Sequence, residues 1–598
     1  MRNLDTVTLE LIKGAIQSAR VEMEALIERS AMSPFIREKK DYFTAFFDRD
    51  GRLVVSTALP MAAGNLIDCI FERYPRDDMR PGDLYLYNDS YGSHGAVSHN
   101  NDMVFVAPVF SDARIVAFAE AWGHLWDIGG MVPGSISPAA TDVFQEGIVI
   151  PPSRVLRDGI WNEELIRTFV RNTRFPDMVR GDLSAIMAAV RLGGRRMEEI
   201  AERFGAGAVE AAFAGMLDQS ERALRKAFAE RVPDGRYSFR DYIDSDSVSE
   251  KSYAVAVTVE KRGETIALDY SASDDQARGA INFIMDSSVP KTMCGLYFTG
   301  QEAGVALNGG FHRAVGEVKT RPGSIVSPRE PAPLGMRSHC LTRVNSSLFG
   351  AFAKATGGNV PAASSVYVLY YLRSWNKERS ELDLCIEGLA VGFGARPHAD
   401  GIDAVYYVAQ KNYPIEFAEM EFGVRVEGYA MHADSGGPGF HRGGCGIVRD
   451  LRVVGDEAVI GLRMDNMRWP AWGVKGGMGG GAGRIVVNPG MADERELRPM
   501  SEGNKLKKGD LVRIMTPGGG GWGSPLERAA EQVRDDVLDG FISAESAARD
   551  YGVVLSSDLT DVDAAATDAR RKELARMPRG LFHRHSYFDD EELPRAAE

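Results

Sequence analysis

NDSYGSHGAVSHNNDMVFVAPVFSDARIVAFAEAWGHLWDIGG, residues Asn88–Gly130, holds three of the chain's ten histidines and four aspartates. Two apolar runs inside it, Met103–Phe110 and Ile115–Trp122, are short and rich in β-branched and aromatic residues, which is strand composition. Ser111-Asp112-Ala113-Arg114 joins them as a short polar loop, so the pair reads as a β-hairpin. A turn centred between Asp112 and Ala113 sets Asp102 opposite Gly123 and Asn101 opposite His124. In that register His99 and Asp102, at the start of one strand, meet His124 at the end of the other, with Asp127 just beyond. Two imidazoles and a carboxylate converging at a sheet edge form a candidate divalent-metal site. His94 is a fourth candidate ligand, in the looser Gly92–Ala96 segment. The aspartates also suit plain turn positions, so spacing alone leaves both readings open.

Outward from this stretch the pattern is mixed. Asp5 stands as a helix cap, and Leu9, Ile12, Ile16, Ala19, Met23 and Leu26 follow at three- and four-residue spacing, which predicts an amphipathic helix ending near Ser30. Beyond Pro34, the charged run Arg37–Asp41 leads into Tyr42–Phe47 and the turn Asp48-Arg49-Asp50-Gly51, read as an exposed strand entry and a hairpin. Asp41 marks the point where the run becomes apolar. Residues 128–152 are loop-rich, as functional loops often are. Residues 182–229 are helical in pattern, with breaks expected at Gly193-Gly194 and Gly205. Pro233-Asp234-Gly235 is a strong turn and the first domain boundary. Tyr253–Val259 and Ile266–Tyr270 read as a hairpin around Lys261-Arg262-Gly263. Helical stretches are expected near 341–357 and 361–372. Leu526–Asp539 and the Ser543-capped segment to Tyr551 predict a helical hairpin, and the polar segment from about Ser556 predicts a mobile tail. The fold class is α+β and multidomain, with mixed sheets, helical insertions, a glycine-rich β region and that C-terminal hairpin. The segments are 1–232, carrying the metal site, 233–505, β-rich, and 506–598.

Several chemistries are disfavoured. Gly477–Ala482 fits a dinucleotide fingerprint, but Arg484–Val487 after it reads as strand, where a phosphate site needs a helix. No phosphate-loop motif occurs in the chain. Ser338-His339-Cys340 sets a histidine beside a cysteine, but neighbours on a strand face opposite ways. The five cysteines are dispersed and odd in number, which suggests neither a zinc framework nor a disulfide scaffold. A net charge of −14 argues against nucleic acid and anionic membranes as partners. With no signal sequence or membrane-length apolar run, the expected location is cytoplasmic.

The motifs also occur in a familiar order. Arg37–Tyr42 is followed by Pro81-Gly82-Asp83, Asn88-Asp89, His99-Asn100-Asn101-Asp102, His124–Gly130, Pro133-Gly134-Ser135 and Gln145–Ile148. Ser435–Gly439, Arg442-Gly443-Gly444 and Thr516–Gly523 come later. Over about residues 4–553 the chain resembles the hydantoinase B/oxoprolinase family, which includes subunits of ATP-dependent hydantoinases, oxoprolinases and lactamases and of acetone and acetophenone carboxylases. The resemblance implies a divalent metal (Zn, Mn or Fe) held by the H-x-x-D pair and the histidine before D-I-G-G, here His99, Asp102 and His124, with Asp41 facing substrate. This chain has His124-Leu125 where many members have two histidines, and its Ser90–Ser98 loop is longer.

By the same resemblance, ATP and Mg belong to a separate actin-like ATPase subunit of the hydantoinase A type, in a hetero-oligomer such as a dimer of heterodimers. The implied function is the metal-containing, substrate-binding subunit of an ATP-dependent lactam or hydantoin hydrolase, with bicarbonate, as carboxyphosphate, one route for the ATP chemistry. The alternatives are a ketone carboxylase subunit and a non-catalytic scaffold for the ATPase.

Overall fold

The computed structural model describes residues 4–57, 65–300, 302, 304–406 and 411–576. Two compact units are present, residues 1–236 with 259–341 and residues 237–258 with 342–598. The division drawn from the sequence follows chain order; these units are assembled from non-contiguous pieces. Mixed helices and several separate sheets make the protein α+β.

The first unit is built on a seven-stranded antiparallel sheet. Its strands are β1 (Tyr42–Asp48), β2 (Leu53–Ser56), β3 (Leu84–Tyr87), β4 (Asp102–Ser111), β5 (Arg114–His124), β6 (Ser153–Arg157) and β7 (Ile160–Trp161), in the order β2-β1-β5-β4-β3-β6-β7. β4 and β5 are the expected hairpin. Asp112 and Ala113 both have positive φ, 50° and 60°, the twist a two-residue hairpin turn needs. Phe110 faces Ile115, but Val109 faces Ala117, so Val116 is an extra residue on β5. This bulge moves the pairing on by one, and Asp102 lies opposite His124, not opposite Gly123. β1 is not an exposed entry: all seven of its residues are buried, and it pairs with β5 from Tyr42↔Gly123 onward.

Two long helices cover one face of the sheet. In α1 (Thr6–Ser30), Asp5 caps the first turn by accepting from Thr8 N at 2.9 Å. Ile12, Ile16, Met23 and Ile27 are fully buried, a stripe that stabilises the unit by roughly 1.5–3 kcal/mol per side chain. α2 (Pro34–Arg37) and α3 (Asp68–Arg73) are short, and α4 (Glu163–Arg171) precedes α5 (Pro176–Phe204) and α6 (Ala206–Arg231). α5 runs unbroken through Gly193-Gly194, and the break falls only at Gly205, with φ 87°. Gly193 is a packing position: a Cβ there would stand 2.4 Å from the Met23 sulfur.

The second unit contains two antiparallel sheets and a block of glycine-rich extended chain. Val368–Asn376 is a strand, paired with Glu381–Leu389 and Asp456–Arg463, where the sequence suggested a helix over 361–372. Its run of β-branched and aromatic residues decides the matter once partners lie on both sides. Ser338-His339-Cys340 instead opens the helix Ser338–Ala355. The glycines at 392–394, 436–444, 473–481 and 518–521 bring backbone against backbone. Gly437 N donates to Gly519 O at 2.8 Å, Gly519 N to Gly444 O at 3.0 Å, and Gly521 N to Met478 O at 2.8 Å. A Cβ on Gly392 would stand 1.8 Å from Gly444 O, and one on Gly443 2.1 Å from Gly519 O. Gly477–Ala482 belongs to this block: a Cβ on Gly477 would stand 2.1 Å from Gly521 O, and one on Gly480 2.1 Å from Gly518 O.

The helices Ala530–Leu538 and Ala544–Asp550 form the expected hairpin around Val533, Ile542, Ala547 and Tyr551. A further helix, Ala564–Leu574, lies where the sequence suggested a mobile tail; residues 577–598 of that tail are outside the described residues.

Gly443→Ala should cost about 3 kcal/mol or more, seen as loss of the second unit's unfolding transition, because only backbone stands in the way. Glu120, at the middle of β5, is fully buried, neither carboxyl oxygen has a hydrogen-bond partner among the described residues, and burial pushes its pKa well above the usual value. A raised carboxyl pKa contributes stability that is present below the unfolded pKa and is lost as pH rises. Glu120→Gln should therefore gain on the wild type from pH 5 to pH 8, by at most about 1.4 kcal/mol per pH unit, in paired urea titrations.

Candidate metal centre and active site

The triad is set by the β4–β5 register. Side chains alternate along a strand, so Gly123 faces the helices, where a Cβ would meet Ile186 and Ile36 at 2.8 and 2.9 Å. His124, one residue on, faces the other way, and Asp102, directly opposite it, shares that face. His99 comes from the loop that enters β4, with its carbonyl accepting from Asp102 N at 3.2 Å. His99 Nε2 lies 3.0 Å from Asp102 Oδ1 and 3.1 Å from His124 Nδ1, and the latter is 3.1 Å from the same oxygen. All three residues are buried, and they form a group able to hold a metal ion. Phe35 packs on the His124 ring at 4.6 Å between centroids.

The electrostatics suit metal ligands. Burial, reinforced by the Arg337 charge, lowers His99 to about 3, so its ring is neutral with a lone pair to give. Burial works against the Asp102 charge, but the facing imidazoles hold it ionised, below the ordinary carboxylate range. Asp41 enters through the β1–β5 pairing: its carbonyl accepts from His124 N at 3.1 Å, and Oδ2 lies 3.9 Å from His124 Nδ1. Burial, with the Asp102 charge adding to it, pushes Asp41 up to about 6, against the pull of His124.

The other candidates lie elsewhere. His94 has φ 55° and an exposed side chain that pairs with Glu72 at 3.0 Å. Asp127 is buried, but it closes a loop: it accepts from Gly129 N, Gly134 N, Thr173 Oγ1 and Arg174 N, and pairs with Arg174 Nη1 at 2.9 Å. Leu125 lies in the apolar core, so the departure there removes no residue from the triad. Arg337 carries no sequence signal. It stands far along the chain, before a helix, and only folding brings Nη2 to 3.8 Å from Asp102 Oδ2. Glu146, a motif residue with no role legible in the sequence, accepts through Oε1 from Leu334 N and Gly335 N at 2.8 and 2.6 Å.

Two histidines and one carboxylate thus gather, buried, at the ends of two inner strands of an antiparallel sheet, and comparison with known proteins agrees with the order of the motifs. The chain belongs to the hydantoinase B/oxoprolinase family, whose pattern it matches over residues 5–525. It is 30% identical over 594 residues to a subunit of the "Putative D-/L-hydantoinase" of Pseudomonas sp. (strain NS671), covering 96% of this chain and 99% of that one. Its structure is similar to that of the ATP-dependent caprolactamase of Pseudomonas jessenii, with TM-score 0.84 and 26% identity over 96% of this chain and 100% of the other. Acetone carboxylase in its nucleotide-free form shares the fold, with TM-score 0.85 and 18% identity over 96% of this chain and 84% of that one. Among the described residues no helix is long and apolar enough to cross a membrane.

Asp127→Ala should cost about 1–3 kcal/mol, because it leaves three backbone N–H groups without their acceptor. A fall in the unfolding midpoint, with the triad's metal affinity unchanged once folded, checks the assignment of Asp127 as structural.

Proposed function

We propose that this chain is the substrate-binding, metal-containing subunit of an ATP-dependent cyclic-amide hydrolase acting on a lactam or hydantoin. The observation that carries the reading is the convergence of His99 Nε2, His124 Nδ1 and Asp102 Oδ1 on one point. These atoms lie 3.0–3.1 Å from one another, so all three would hold one divalent ion. Two imidazoles and one carboxylate are a donor set that would suit zinc, manganese or ferrous iron. When bound, such an ion supplies a Lewis acid that polarises a carbonyl oxygen or acidifies a water.

The chain's own residues supply the rest. His99 stays neutral as a donor, His124 offers the second ring nitrogen, and Asp102 brings the balancing negative charge. Asp41, with its carboxyl near 6, is ionised at pH 7 and stands beside the triad, where it can take a proton from the attacking water or hold the ring N–H. Amide resonance makes an unactivated lactam a poor electrophile. Activation by an actin-like ATPase partner, through phosphorylation of the amide oxygen or through carboxyphosphate, fits the missing phosphate loop here. The hydantoinase relative, itself a subunit, and the ATP-dependent caprolactamase support such a partner.

The test is reconstitution with the ATPase subunit, following ADP release over lactams, hydantoins and ketones with and without bicarbonate. Ring-opened product is expected. A carboxylated ketone as the sole product would make this a carboxylase subunit, and no turnover by a metal-free but assembling chain would make it a scaffold. Elemental analysis should find one divalent ion per chain, lost in His99→Ala and His124→Ala along with activity. Asp41→Asn should retain the ion and lose activity by about 100-fold or more.

A further inference from the structure

Arg337 is a buried cation whose donors are mostly unused. The residue is 7% exposed, and Nε donates to Ser98 Oγ at 2.9 Å. Nη2 approaches Asp102 Oδ2 to 3.8 Å, beyond hydrogen-bond distance, and neither Nη group hydrogen-bonds to any described residue. A guanidinium presents five N–H donors in a rigid fork matched to carboxylate and phosphate oxygens. Here one donor is used and the fork is left open beside the triad.

The placement of this fork is built. Arg337 N donates to Leu334 O and Met336 N to Ala280 O, each at 2.8 Å. Glu146 clamps the same loop through Leu334 N and Gly335 N, and Tyr91 hydroxyl donates to Ala332 O at 2.8 Å. Burial pushes Glu146 up to about 8, so it is largely protonated at neutral pH and adds little countercharge. A divalent ion on the triad would put a second positive centre across Asp102 from the guanidinium. Two cations so close repel, and an anion lying against both relieves the repulsion.

We infer that Arg337 is the oxyanion anchor of this site, its two Nη groups gripping a pair of oxygens on a phosphoryl or carboxylate group of the reacting molecule. This deepens the reading of the triad as the reaction centre and rests on it for its catalytic meaning, though not for the binding itself. The oxyanion has two sources: a phosphoryl group derived from ATP, or a carboxylate or bicarbonate carried in with the substrate.

Calorimetric titration of the full chain with inorganic phosphate, bicarbonate and acetate separates them, without ATP, substrate or partner. At least one anion should bind the wild type, at least tenfold more weakly to Arg337→Met and less weakened in Arg337→Lys, which keeps the charge but loses the fork. Preference for phosphate assigns the ATP-derived group; preference for bicarbonate or acetate assigns the carboxylate. Equal binding by wild type and variants, or no binding of any of the three by the wild type, overturns the anchor. Arg337→Lys serves where Arg337→Met does not fold, and metal content is read in parallel. Phosphate binding that depends on Arg337 in a chain holding no metal supports the anchor even where the hydrolase reading fails.

Discussion

The candidate site depends on one cross-strand pair, Asp102 opposite His124. Because side chains alternate along a strand, a register one residue away would set Asp102 opposite Gly123, toward the helices. The extra residue Val116 prevents this: the turn at Asp112-Ala113 starts the hairpin in one register, and the bulge delivers its far end in the next. Gly123 and Ile186 hold the same strand against α5 from behind. The triad thus stands at the buried end of the strand pair, which preorganises its donor atoms.

Around that pair the site is arranged to keep unlike charges close and water sparse. Burial alone would neutralise a carboxylate, yet Asp102 stays charged because two imidazoles face its oxygen. Asp41, with its carboxylate 3.9 Å from His124 and hydrogen-bonded to neither imidazole among the described residues, moves the other way because burial outweighs the pull of His124. Two neighbouring carboxylates are thereby separated in acidity. Arg337 supplies the opposing charge from a loop clamped by Glu146, so its position is independent of the hairpin.

The glycine-rich block of the second unit solves a different problem. Segments that approach to backbone contact on several sides have no space for Cβ, and their N–H and C=O groups must find partners in neighbouring extended chain. Gly437, Gly519 and Gly444 form such a chain of bonds outside any regular sheet. Short glycine fingerprints in this region therefore report packing, and the strand after Gly477–Ala482 agrees with that.

Periodicity and turn chemistry by themselves determined the α1 stripe and its Asp5 cap, the β4–β5 hairpin and the C-terminal helical hairpin, and they brought His99, Asp102 and His124 to one end of the β4–β5 hairpin. Each depends on neighbours a few residues apart or on one short turn. Tertiary structure decided the rest. The Val116 bulge is invisible to a count from the turn, because it reflects how β5 twists between β1 and β4. The strand at Val368–Asn376 needed partners on both sides before its composition could outweigh the helical pattern. Asp127 and His94 carry the same kinds of donor as the triad, and only the path of the loops sends one to Arg174 and the other to the surface. Arg337 reaches Asp102 across more than two hundred residues of chain, a proximity that no local spacing encodes because packing, not sequence distance, creates it.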